Sequence, residues 1–277
     1  MMGDYFFLNG EILPASQAKL NITDLALLRG FGIFDFLRTY NKKPFLIDRY
    51  LNRFYNSAVH VGLQIPYGKE KMKEIINSLL DINKIFEAGI RMVLTGGYTS
   101  NGYTPGEPNI FILIEKINFP TEENYSNGIK LYFYEHQREL SFIKSINYLS
   151  PISLRNKIKE ADAYDVLYHF NGKIREVSRS NFFMVKDNKI LTPDTDILLG
   201  ITRASVIQLA EKYYQVEGRE VRIEELWEAD EAFMTGTTKK VLPVIRIGDH
   251  SIGNSVPGTV TKHLMELYSE FENNTYF

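Results

Sequence analysis

Apolar positions in the N-terminal part of the chain group first as strands and then as helices. Asn9-Gly10 is a hairpin signal between residues 5–8 and 11–13, because this pair tolerates the positive φ that tight hairpin turns require. Residues 33–40 have the aromatic and β-branched content of a strand, and Asn41-Lys42-Lys43 turns it into residues 44–47. From Asp48 to about Gly62 the pattern becomes helical, with Leu51, Phe54, Tyr55, Ala58 and Val59 on one face. Residues 69–80 repeat the pattern with Met72, Ile75, Ile76, Leu79 and Leu80. Strands follow at 90–95 and 109–115, separated by the turn-rich loop Gly96 to Tyr103.

The stretch 119–128 is polar and punctuated, and reads as an interdomain linker. Beyond it strands and helices alternate: strands at 129–135, 165–170, 173–177 and 181–185, helices at 152–163, 202–214 and 258–271. No internal repeat or low-complexity tract interrupts the pattern. The expectation is an α+β protein with an N-terminal domain over 1–118 and a C-terminal domain over 129–277.

Composition narrows the function more than the fold. A formal charge of −2 and the absence of a long basic run argue against nucleic acid or an anionic membrane as partner. With no cysteine there is no disulfide, thiolate metal site or cysteine nucleophile, which fits a reducing compartment. No signal-length apolar stretch follows a basic segment at the N-terminus, and no apolar run approaches the roughly 20 residues that span a bilayer. A cytoplasmic location is the expectation.

Four segments carry candidate chemistry. Lys144 lies in Phe142-Ile143-Lys144-Ser145-Ile146-Asn147, an apolar setting that disfavours a free ammonium. Glu176 follows the Asn171-Gly172 turn in Arg175-Glu176-Val177-Ser178-Arg179-Ser180-Asn181. Gly200-Ile201-Thr202-Arg203 opens a helix, where free N–H groups and hydroxyls suit a phosphate. Thr235-Gly236-Thr237-Thr238 follows the apolar Ala232-Phe233-Met234. Singly, each has an ordinary explanation: a surface lysine, a solvent-facing glutamate, an N-capping threonine, a turn.

Together, their order and spacing resemble the class IV aminotransferases, the fold-type-IV pyridoxal-phosphate (PLP) enzymes that include branched-chain aminotransferases, D-amino acid aminotransferases and aminodeoxychorismate lyases. The resemblance covers nearly the whole chain. It implies the D-amino acid aminotransferase-like fold, with a smaller N-terminal α/β sandwich and a larger C-terminal pseudo-barrel domain that bears the PLP lysine, in a homodimer. It implies PLP as cofactor and amino acids and 2-keto acids as substrates, with no metal. By position, Lys144 is the lysine that holds the cofactor aldehyde and shuttles protons. Glu176 pairs with the pyridine nitrogen, and Arg53, Ile201, Thr202 and Thr237 bind the phosphate. Tyr148 matches a tyrosine that bonds the cofactor's phenolic oxygen. Tyr50 stands where relatives carry the histidine of His-x-x-Arg.

The substrate side departs from the family pattern. Relatives read Gly-Asp-Gly-x-Phe/Tyr-Glu where this chain has Gly30-Phe31-Gly32-Ile33-Phe34-Asp35. Phe34 falls at the substrate tyrosine of the D-amino acid enzymes. Phe36 stands where branched-chain enzymes have glycine and lyases a threonine, which counts against the lyase. Arg38 and Arg91 match arginines near the branched-chain active site, and with the Thr237-Thr238 backbone they are candidates for the substrate carboxylate. Gly96 replaces the carboxylate-trapping arginine of the D-type enzymes, and Thr235-Gly236-Thr237 leans toward the branched-chain group, whereas the Lys144 to Asn147 spacing is that of the D-amino acid enzymes and the lyases. These signals favour an L-branched or other apolar substrate, with the D-amino acid transaminase, the lyase and a non-catalytic PLP-binding relative as alternatives.

Overall fold

Segment 143–148 breaks the linear order of the chain. In the computed structural model, which describes residues 3–40, 42–85 and 87–275, the chain up to Asn118 forms one unit together with Ile143–Tyr148, and the remainder forms a second. The expected division put the PLP lysine in the C-terminal domain; its segment instead joins the first unit. The cause is edge pairing. Ile33 and Ser145 form an antiparallel bridge, Phe34 N donates to Lys144 O at 2.9 Å, and Ile146 N donates to Gly32 O at 3.1 Å.

The first unit contains β1 (Tyr5–Leu8), β2 (Glu11–Pro14), α1 (Leu25–Arg29), β3 (Gly32–Tyr40), β4 (Lys43–Pro44), α2 (Ile47–His60), α3 (Lys69–Asn83), β5 (Gly89–Thr95) and β6 (Ile110–Glu115). The expected hairpin forms with Asn9 and Gly10 at positive φ, and the two long helices fall where the period of 3.6 put them. The Asn41 end of the expected β3–β4 turn, like Met1 and Met2 of the N-terminus, lies outside the described residues. The strands order as β2-β1-β6-β5-β3-β4. Alternation gives the sheet two faces. Leu37, Met92 and Ile112 are buried, as are Leu51 and Phe54 of α2 and Met72 and Ile76 of α3. The other face carries Phe34, Phe36, Arg91, Leu113 and Glu115, by the β3–β5–β6 register.

The second unit contains α4 (Glu122–Asn127), β7 (Ile129–Glu135), α5 (Leu149–Ser153), α6 (Arg155–Glu160), β8 (Asp165–Phe170), β9 (Lys173–Val177), β10 (Asn181–Lys186), β11 (Lys189–Thr192), α7 (Ile201–Ala210), β12 (Gln215–Gly218), α8 (Ile223–Trp227), β13 (Glu231–Gly236), β14 (Lys240–Ile247), β15 (His250–Ser251) and α9 (Thr259–Asn274). The stretch expected as linker holds a helical turn, α4, started by a capping box between Thr121 and Asn124. The single helix expected over 152–163 is two short ones with a break at Leu154.

The larger sheet runs β12-β11-β10-β13-β14-β7-β8-β9, with β15 against β14. Alternation along β10 fixes both of its cores. Phe182 and Met184 join Leu131, Leu167, Met234 and Leu242. Phe183 and Val185 face the other way, with Val206 of α7 and Leu264 of α9. Burying each such side chain contributes about 1.5–3 kcal/mol, and a one-residue slip of β10 would drive each set into the core shaped for the other. No helix among the described residues is long and apolar enough to cross a membrane.

Candidate active site

Pairing of 143–148 with the edge of β3 sets Lys144 beside Phe34. The lysine Nζ lies 4.7 Å from the Phe34 ring centroid, and Tyr148 meets the same ring edge-on at 5.6 Å. Arg91 approaches Phe34 as well, its guanidinium 5.2 Å from that ring and 5.1 Å from Phe36. The guanidinium is gripped by Glu115, with Nε donating to Oε1 at 2.5 Å and Nη2 to Oε2 at 3.0 Å. Arg38 is buried, with its guanidinium 3.8 Å above the Tyr40 ring. The two candidate carboxylate arginines thus rest on partners within their own sheet. The Phe36 ring occupies space left by Gly89, where an added Cβ would fall 2.5 Å from the ring.

Arg53, on α2, reaches β3. Its Nε donates to Asp35 Oδ2 at 2.9 Å and its Nη2 to Oδ1 at 2.7 Å. Burial works against the charge of Arg53, but the Asp35 carboxylate more than offsets it and holds the guanidinium's pKa above its ordinary value, with smaller support from Tyr50 and Tyr148. Lys144, Phe34, Tyr148 and Arg53 are therefore neighbours within the first unit.

In the second unit Glu176 lies near the end of β9, where its side chain is buried at 6% exposure. Oε1 accepts from Arg138 Nε at 2.7 Å, and Oε2 accepts from Leu198 N at 3.0 Å. Three residues after Leu198, α7 begins at Ile201, with no side chain capping its N-terminus. Its first-turn N–H groups, including those of Ile201 and Thr202, have no acceptor inside the helix. Gly200 is required here: a Cβ would run into Asn181 Oδ1, whose amide donates to Leu198 O at 2.7 Å. Asn181 pairs with Thr235 across β10 and β13, and a Cβ on Gly236 would come within 2.9 Å of Ser180 Oγ. Thr237 and Thr238 form the turn that follows, leading to Lys239. Glycines, hydroxyls and an uncapped helix start converge in one unit.

This donor set fits PLP. A phosphate needs N–H and O–H donors, and the second unit offers the start of α7 with the hydroxyls of Thr202 and Thr237. Ser180 Oγ and Thr235 Oγ1 are buried beside them with no hydrogen-bond partner among the described residues, an orphaning that native proteins seldom tolerate without a ligand or water. A pyridinium needs a carboxylate, and Glu176 is a buried carboxylate in the same unit. No group of residues suited to a metal ion occurs among the described residues.

Three participants have no local signal in the sequence. Arg138 holds Glu176 from 38 residues away, and Asp35 holds Arg53 across 18. Lys239 is the third: 8% exposed, with Nζ 3.1 Å from Thr238 Oγ1. Burial pushes its ammonium down to about 8, the Arg179 guanidinium adding to the effect and Asp165 opposing it.

Comparison with known proteins gives the family. The family model for amino-transferase class IV matches residues 32–247. A D-alanine aminotransferase of Bacillus licheniformis is 32% identical over 263 residues, covering 92% of this chain and 93% of the relative. The branched-chain amino acid aminotransferase of Escherichia coli superposes with a TM-score of 0.88 at 26% identity, covering 95% of this chain and 93% of that one. A second branched-chain amino acid aminotransferase, from T.th. and solved with pyridoxamine 5'-phosphate, has a TM-score of 0.88 at 28% identity, with 97% and 93% covered. The fold is thus the two-domain fold of the type IV PLP enzymes, and the chain belongs to the class IV aminotransferases, which work with pyridoxal phosphate.

Proposed function

We propose that this PLP-dependent aminotransferase takes its amino group from a D-amino acid and passes it to a 2-keto acid. The observation that carries the proposal is the Arg91–Glu115 pair. Arg91 and Arg38 were the sequence's main links to the branched-chain enzymes, and both are engaged inside the sheet. Phe34, at the position the D-type enzymes use for substrate, is the side chain that lies against Lys144. Among relatives, a D-alanine aminotransferase at 32% identity stands beside a putative branched-chain-amino-acid aminotransferase at 31%, so the choice of donor rests on the site residues. An L-branched-chain donor is the second reading, favoured by the structural likeness to branched-chain aminotransferases.

When bound, PLP supplies an electron sink for the pair left behind as the donor's α-carbon loses its proton. The residues do the rest. Lys144 Nζ, as an uncharged amine, would take that proton as general base and deliver it to the cofactor carbon within the same half-reaction, and would move a proton in the reverse direction when the 2-keto acid is aminated. Glu176, ion-paired with Arg138, accepts a hydrogen bond from the protonated pyridine nitrogen. Arg53, the N–H groups of Ile201 and Thr202, and the Thr202 and Thr237 hydroxyls hold the phosphate. Tyr148 orients the phenolic oxygen. Phe34 and Phe36 meet the substrate side chain, and the Thr237-Thr238 backbone donates to the substrate carboxylate.

We further read the protein as a cytoplasmic homodimer. Leu140, Phe142, Leu149 and Ile152, which flank the lysine segment in sequence, are all exposed, and exposed apolar side chains are what a second copy would cover. Sedimentation should report twice the chain mass.

Half-reactions separate the donors. Stopped-flow absorbance is followed as D-alanine, D-glutamate, L-leucine or L-glutamate is added without an acceptor. Bleaching of the cofactor's visible band by the D-amino acids alone is expected. Bleaching by L-leucine and L-glutamate alone would transfer the assignment to the branched-chain type, and pyruvate release from aminodeoxychorismate to the lyase.

A further inference from the structure

We infer that Asp35 is a positioning residue that presets Arg53 for the phosphate of the cofactor. The inference rests on the proposed role of Arg53 as a phosphate anchor. Asp35 is completely buried. Its carboxylate takes hydrogen bonds from Arg53 Nε and Nη2, and from the backbone N of Phe36 at 2.7 Å.

A guanidinium has five N–H donors in one plane. The side-on grip of Asp35 uses one from Nε and one from Nη2, which fixes the plane and leaves the Nη1 edge for an anion. A free arginine side chain samples many rotamers. Asp35 removes that freedom before any ligand arrives, so a phosphate meets an arginine already in place. The carboxylate also weakens the net positive field at the site. The pair therefore sets two effects against each other, orientation gained and attraction lost, and the inference is that orientation wins. The location supports it. Asp35 follows Phe34, whose backbone N is bonded to the carbonyl of Lys144, so one short stretch of strand ties the arginine of α2 to the segment that carries the lysine.

The test compares two ligands, PLP and pyridoxal, which lacks the phosphate. Each is titrated into the full-length apoprotein by fluorescence, and the ratio of the two Kd values measures what the phosphate contributes. Asp35→Asn should shrink that ratio by about tenfold or more, with the pyridoxal Kd held within about threefold. A ratio that is unchanged or larger would overturn the inference, as would equal weakening of both ligands, the mark of a merely structural role. Arg53→Met is the reference. If it leaves the ratio unchanged, the anchor role of Arg53 itself fails; if it shrinks the ratio and Asp35→Asn does not, only the role of Asp35 fails. Should Asp35→Asn not fold, Asp35→Glu keeps the charge on a longer arm. It is expected to shrink the ratio by a smaller factor at constant pyridoxal affinity, and loss for both ligands alike would again overturn the inference.

Discussion

Arg138 donates from Nε to Glu176 Oε1 at 2.7 Å and from Nη2 to the carbonyl of Ser141 at 2.6 Å. One guanidinium thereby braces the carboxylate assigned to the pyridine nitrogen. Removing it leaves Glu176 buried and without its arginine, with Leu198 N still donating to the other oxygen. Arg138→Met should cost about 3–5 kcal/mol in urea unfolding, as breaking a buried pair does. It should also lower kcat by about tenfold or more, through a less well held Glu176.

Gly200 links the two ends of the cofactor's proposed cradle. A methyl group there would displace Asn181, which holds Leu198, and Leu198 in turn holds Glu176. Gly200→Ala should weaken PLP binding by about tenfold. Serine at the same position should be no better, since its Cβ meets the same obstacle. Equilibrium dialysis against PLP measures both.

How much of this was legible beforehand differs by residue. Helix α3 was plain, all five of its expected apolar positions being buried; in α2 Leu51, Phe54 and Ala58 are buried as expected, whereas Val59 is 75% exposed and Tyr50 is buried in addition. The expected strand at 181–185 ends in the structure at the turn Asp187-Asn188, where both residues have positive φ. Helix α4 was hidden because its stabilising interaction, a polar capping box, looks like linker composition. The order lysine, glutamate, Gly-Ile-Thr-Arg, Thr-Gly-Thr carried the family, since it depends on chemistry at fixed places along the chain. The partners of these residues were not legible. Glu115 sits on another strand from Arg91, and nothing local marks which cation a carboxylate will meet once the sheet assembles. Lys239-Lys240 has the look of a solvated pair; in the structure Lys240 pairs with Glu272 of α9 at 2.6 Å, and Lys239 is buried.

Lys239 gives a pH prediction with a definite sign. Its folded pKa of about 8 lies below the 10.5 of an unperturbed lysine. Below pH 8 both states carry the proton, and folding bears the full cost of a buried ammonium, roughly 3 kcal/mol. Between the two pKa values the unfolded chain binds more protons, so stability rises with pH. Lys239→Met should therefore be the more stable protein at pH 7, and its advantage should shrink by pH 10. Urea unfolding of both proteins at the two pH values measures this.

Phe36 and Gly89 form a couple of large and small side chains. Gly89→Ala sets a methyl group against the Phe36 ring, an overpacking that should cost about 1–3 kcal/mol. In a Phe36→Ala background the cost of Gly89→Ala should fall below about 1 kcal/mol, because the obstructing ring is gone. Thermal unfolding of the four proteins closes the cycle.

Lys144 is the lysine assigned to hold the cofactor. Borohydride reduction of the purified holoenzyme, followed by proteolysis and mass spectrometry, fixes the label on whichever lysine carries it. A phosphopyridoxyl group is expected on the peptide containing Lys144 and none after Lys144→Ala. A label on Lys239, the buried lysine whose pKa is lowered, or no label on any peptide, would contradict it.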